Sequence, residues 1–113
     1  MERNERGMMT PEAIFGKLQS KFNENPDLSD KVKAVYQFVL TGDGGGSWWV
    51  DLLSKPGVVG KGEKKEANCV ITLAAEDFIG LATKEANAVK LFMSGKLKIG
   101  GDLAAAMKIQ SVL

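Results

Sequence analysis

Phe92-Met93-Ser94-Gly95-Lys96-Leu97-Lys98-Ile99-Gly100-Gly101-Asp102, followed by Leu103-Ala104-Ala105-Ala106-Met107-Lys108-Ile109-Gln110, is the stretch on which the fold is decided. It reads as an apolar helix end, a glycine stop, a short strand, a glycine pair and a last helix with almost no charge. Gly95 stands where a left-handed residue closes a helix. Lys96 to Ile99 alternates as a strand, with Leu97 and Ile99 inward and both lysines outward. A helix apolar nearly all round is buried, membrane-facing or covering something greasy. The stretch therefore points toward lipid rather than toward catalysis.

Working outward, Asn87 is the cap of a short helix carrying Val89, Leu91 and Phe92, and Glu76-Asp77 open another through Phe78, Ile79 and Leu81. Asn68 to Leu73 is a strand with Cys69, Ile71 and Leu73 on one face. Nearer the start, Thr10-Pro11-Glu12 combines a hydroxyl cap, a proline at the first helical position and an acid in the first turn. Ile14, Phe15, Leu18 and Phe22 then recur at helical spacing, with Lys17, Gln19, Lys21 and Asn23 pointing away. From Val32 the period becomes two, with Ala34, Tyr36, Phe38 and Leu40 sharing its face. Glycine-rich Thr41 to Gly46 turns the chain into a second strand, Ser47 to Ser54, and Val58 to Gly62 is a thin, charged edge strand. Trp48 and Trp49 are adjacent on the second strand, so they face opposite sides of the sheet.

Composition narrows the chemistry. The 113 residues make one domain, with 1–9 a polar lead and 10–113 the folded unit. Net charge is +1, which leaves no nucleic-acid footprint. The chain has no histidine and a single cysteine, Cys69. That removes Ser-His-Asp and Cys-His catalysis, an intrachain disulfide and nearly every zinc site. No enzyme activity, metal or cofactor is expected. The lead has no apolar signal core and no apolar run is long enough to span a bilayer, so the expected location is the cytoplasm.

The ordered set Trp49-Val50-Asp51-Leu52, Ala67-Asn68-Cys69-Val70-Ile71-Thr72-Leu73, Asp77-Phe78, Phe92-x-x-Gly95-Lys96-Leu97-Lys98-Ile99-x-Gly101-Asp102 and Ala106-Met107-Lys108-Ile109-Gln110 resembles the sterol carrier protein type 2 family. The resemblance covers roughly residues 10 to 113. It implies an α+β fold, a five-stranded mixed sheet covered on one side by about five helices, with an apolar tunnel between. It also implies a non-enzymatic lipid-binding and lipid-transfer protein for a fatty acid, fatty acyl-CoA, phospholipid or sterol. Peroxisomal members end in a serine-lysine-leucine type address, whereas this chain ends Ser111-Val112-Leu113, so peroxisomal import is not expected.

The expected ligand-binding residues are Trp49, Phe78, Leu81, Phe92, Met93, Leu103, Met107 and Gln110. Methionine thioethers adapt to varied apolar ligands, and Gln110 is a polar group on an apolar helix. Lys96, Lys98 and Lys108 are the expected head-group or membrane contacts, since lysines outnumber acids in the last third. The expected partners are a lipid ligand and, transiently, an anionic membrane, with the protein a monomer or weak homodimer. The competing reading is an interaction module that docks its apolar C-terminal face onto a lipid-metabolising enzyme or onto itself.

Overall fold

A computed structural model describes residues 10–108. The chain begins with helix α1 (Pro11–Glu24) and the single turn α2 (Leu28–Val32), then strands β1 (Val35–Thr41), β2 (Gly46–Asp51), β3 (Val58–Lys61) and β4 (Cys69–Ala74). Helices α3 (Ala75–Ala82) and α4 (Ala88–Met93), strand β5 (Lys98–Gly101) and helix α5 (Leu103–Lys108) complete it. The sheet order is β3-β2-β1-β4-β5. β1 and β4 run parallel, and every other neighbouring pair is antiparallel. This is the five-stranded mixed sheet with five helices that the resemblance implied.

The local signals explain where most elements begin. The Thr10 hydroxyl accepts from the Ala13 N–H at 3.1 Å, which satisfies one of the orphan donors of α1. Ile14, Phe15, Leu18 and Phe22 are the buried stripe of that helix. In β1 the residues Tyr36, Phe38 and Leu40 face the helices, and the register places Tyr36 opposite Val50 and Phe38 opposite Trp48. One alternating side of the sheet thus joins α1 and α3 in a single core.

Several boundaries differ from the sequence expectation, among them the end of β2, at Asp51 rather than Ser54. Val32 belongs to α2 rather than to β1, because Lys33 closes that turn in a left-handed conformation (φ 48°) with its N–H on the Ser29 carbonyl. β5 begins at Lys98, since the Lys96 and Leu97 amides are committed to the Leu91 carbonyl. The glycine pair stays inside β5, opposite Cys69 and Val70, and the turn into α5 falls on Asp102. Gly101 (φ +90°) is required there, because a Cβ would lie 2.4 Å from the Asn68 carbonyl oxygen.

Gln19 does not point to solvent as the helical pattern suggested. Its amide nitrogen donates to the Gly57 carbonyl at 2.9 Å and its oxygen accepts from the Val59 N–H at 2.7 Å. A side chain of α1 thereby satisfies the open edge of β3, which would otherwise offer itself to another strand. Asn68 ties three strands at one end of the sheet. Its side-chain oxygen accepts from the Val35 N–H at 2.7 Å, its own N–H donates to the Val35 carbonyl, and its carbonyl accepts from Asp102 N–H.

Candidate functional site

The centre of the space between the sheet and helices α1 and α3 is filled by aromatic rings. Phe15 stacks on Trp48 and on Phe78 with ring centroids 4.7 and 4.9 Å apart, and it meets Phe38 edge-on at 5.5 Å. Aromatic contacts of this kind add to the area each ring removes from water. Phe78 and Leu81, expected as walls of a ligand site, are fully buried members of this core. Of the two indoles, Trp48 is the one on the helix side. Trp49 lies on the opposite face of the sheet, over Gly60 and beneath the Lys64 ammonium at 4.5 Å, so it does not face the space under the helices.

The C-terminal elements are packed more thinly. Asn87 caps α4, its side-chain oxygen accepting from the Val89 and Lys90 amides, and Gly95 follows at φ +81° as the sequence indicated. α4 buries only Ala88 and Leu91. Met93 is 78% exposed, Val89 48% and Phe92 39%. In α5 the Asp102 carboxylate accepts from the Ala105 N–H at 3.1 Å and caps the helix. Ala105 and Ala106 are its buried residues, Met107 is half-buried and Leu103 is 48% exposed. α5 lies against β4 and β5. Its polar tie to the sheet centre is the Tyr36 phenol, which donates to the Ala105 carbonyl. Gln110 lies outside the described residues.

Lys96 and Lys98 come together with Thr41, Thr72 and Asp77 around an open cleft of about 360 Å³. Lys108 is exposed on α5. A second opening, of about 590 Å³, is one the sequence reading missed. It lies between the start of α1 (Thr10, Pro11, Glu12), the hairpin tip (Asp43, Gly44, Gly45), Trp48, Lys61 and the start of α3 (Ala75, Glu76, Ile79). The Lys61 ammonium sits 5.3 Å from the Trp48 ring centre. The one sequence signal was the tryptophan pair, and alternation alone does not say which member turns inward.

The titratable groups in the core favour no catalytic role. Burial pushes the Cys69 thiol up to about 11, and the nearby Asp102 carboxylate adds to the effect. A thiol so held is not a nucleophile at neutral pH. Burial also raises the Tyr36 phenol far above its ordinary value, with Cys69 and Asp102 contributing, so it stays a hydrogen-bond donor.

The sequence profile of the SCP-2 sterol transfer family matches residues 15–113. The chain belongs to the SCP-2 sterol transfer family. Its fold superimposes on sterol carrier protein 2 from Yarrowia lipolytica (apo form) with a TM-score of 0.77 and 33% sequence identity, covering 88% of this chain and 85% of that one. The sequence is 40% identical to hydroxysteroid dehydrogenase-like protein 2 of Rattus norvegicus over 96% of this chain and 22% of the relative. For the Homo sapiens protein of the same name, identity is 36% over 98% of this chain and 28% of the relative. The chain thus spans about a quarter of the length of these curated relatives. Sterol carrier membership supports a lipid-binding and transfer fold. Among the described residues no helix is long and apolar enough to cross a membrane.

Proposed function

We propose that this chain is a non-enzymatic lipid carrier that holds one acyl lipid or sterol beneath α4 and α5, against β4 and β5. The supporting observation is the thinness of that cover. α5 meets the sheet through Ala105 and Ala106 and one phenol–carbonyl hydrogen bond, while the neighbouring core is closed by large aromatic rings. Alanines remove little apolar area from water, so separating this cover costs far less than opening the aromatic core. Leu103, Met107 and Phe92 would line the opening, with Phe78 and Leu81 behind them. Lys96, Lys98 and Lys108 supply cations for a carboxylate or phosphate. Met93 and Trp49 face away and are not assigned to the wall.

A chain of roughly a dozen methylenes gains about 10 kcal/mol gross on burial, before ordering costs. Delipidated protein is expected to bind a fluorescent fatty acid saturably, with unlabelled lipid competing. Absence of saturable binding would overturn the reading. A second reading, presentation of the lipid to an attached or partner enzyme, is favoured by the chain spanning only about a quarter of its dehydrogenase-like relatives. It predicts that fusing or adding the enzyme portion changes turnover of a lipid substrate.

A further inference from the structure

We infer, resting on the carrier reading, that the Tyr36 phenol selects the lipid, passing its hydrogen bond from the Ala105 carbonyl to an uncharged oxygen of the ligand when α5 yields. Tyr36, Cys69 and Gly101 stand abreast on β1, β4 and β5. Their side chains shrink toward the sheet edge, from a phenol to a thiol to none, and α5 covers that edge with Ala105 and Ala106. Displacing α5 therefore opens a groove floored by small groups, with the phenol at its inner end. The other buried side chains with an N–H or O–H are committed elsewhere. Ser29 donates to the Ser54 carbonyl, and Gln37 lies on the opposite face of the sheet, bonded to Trp48, Gly62 and Lys64. Among the described residues, Tyr36 is thus the buried side-chain donor that a lipid beneath α5 meets.

The surroundings of the phenol decide which oxygen it takes. Once the Ala105 carbonyl moves away, the hydroxyl is an unpaired donor in an apolar interior, a state more costly than the net worth of the bond it lost. A hydrocarbon leaves it so, whereas a hydroxyl or an ester carbonyl restores the bond. A carboxylate is a poor substitute. Burial and the nearby Asp102 carboxylate both disfavour a further negative charge there, and they hold the Tyr36 and Cys69 groups in their neutral forms. A fatty acid is better placed with its carboxylate outward, toward the lysines, and presents only methylenes to the phenol. The ligand class that uses Tyr36 is therefore a lipid alcohol or ester whose uncharged oxygen lies at the buried end.

The test loads the delipidated full chain with a fluorescent fatty acid and displaces it with dodecane, 1-dodecanol or laurate, three ligands of equal chain length. Tyr36→Phe is expected to lower the 1-dodecanol-to-dodecane affinity ratio about tenfold, the worth of one neutral hydrogen bond, and to leave the laurate-to-dodecane ratio within about twofold. Ala105→Gly loosens α5 but keeps the phenol, so both ratios are expected to match the wild type. An unchanged alcohol ratio in Tyr36→Phe overturns the assignment of Tyr36. So does an equal fall in the laurate ratio, or a matching fall of the alcohol ratio in Ala105→Gly. In each of those cases the carrier reading stands, since the ligands still displace the probe. If the fluorescent fatty acid does not bind saturably, the carrier reading falls and Tyr36 has no ligand to select.

Discussion

Replacing Tyr36 by Phe isolates the tie that holds α5 to the sheet. The substitution removes one oxygen from a fully buried ring and leaves the ring's packing among Phe38 and its neighbours in place. The lost interaction is a neutral hydrogen bond to the Ala105 carbonyl, and the net worth of such a bond is about 1 kcal/mol. Leaving the acceptor without this donor adds to that, so the expected loss is about 1–2 kcal/mol. Since 1.4 kcal/mol is tenfold in an equilibrium, local opening of α5 should become about 5- to 30-fold more frequent. Ala106 reports this directly, because its N–H bonds to the Asp102 carbonyl within the first turn of the helix. Hydrogen exchange read by NMR should show that amide accelerating by this factor. Amides in β1 and β4 should change only as far as global stability falls. A fluorescent fatty acid should associate faster with the variant, since its cover opens more often. Unchanged exchange at Ala106 would refute the argument that the phenol secures the cover.

Three further outcomes follow from the same structure. Cys69 is held at about 11 against 9.0 when free, and Tyr36 is raised as well, so above pH 9 the unfolded state sheds protons that the folded state keeps. Stability is therefore intact below pH 9 and falls as pH rises toward 11, by up to about 2–3 kcal/mol from the thiol alone, measurable as a dropping urea midpoint that Cys69→Ala flattens. Gly101→Ala should cost at least about 2 kcal/mol in urea denaturation, since it combines a left-handed backbone with a Cβ driven against the Asn68 carbonyl. Gln19→Ala should cost about 1 kcal/mol and increase light scattering on storage, because the Val59 N–H on the edge strand loses its acceptor.

Features fixed by neighbours in sequence were legible before any coordinates. The caps at Thr10 and Asn87 and the left-handed Gly95 each depend on a few adjacent residues, and each lies where the pattern placed it. Gln19 was misread because its helical position is polar, while its partners, Gly57 and Val59, lie about forty residues further along the chain. Trp48 and Trp49 were undecidable for a related reason. Alternation puts them on opposite faces, and only the stacking on Phe15 selects which face is inner. Phe78 and Leu81 were rightly judged apolar, but apolarity does not distinguish a ligand wall from a filled core. That difference resides in whether partners such as Phe15 and Phe38 already occupy the space.

Asn68 gives α5, the proposed cover over β4 and β5, a mechanical character. The residue clamps the start of β1 and the Asp102 amide at one point, so the first residue of the α5 cap moves only if three strands move with it. The phenol of Tyr36 grips the helix further along. In the proposed carrier, α5 would then act as a lever with a fixed pivot at Asp102 and a releasable catch at Ala105, and would open by tilting rather than by lifting. Lys108 lies about 9 Å along the axis from the pivot, so a tilt of about 20° displaces it by about 3 Å, while Leu103 hardly stirs. An acyl chain admitted this way would pass beneath the Lys108 end, leaving the sheet and its aromatic core undisturbed.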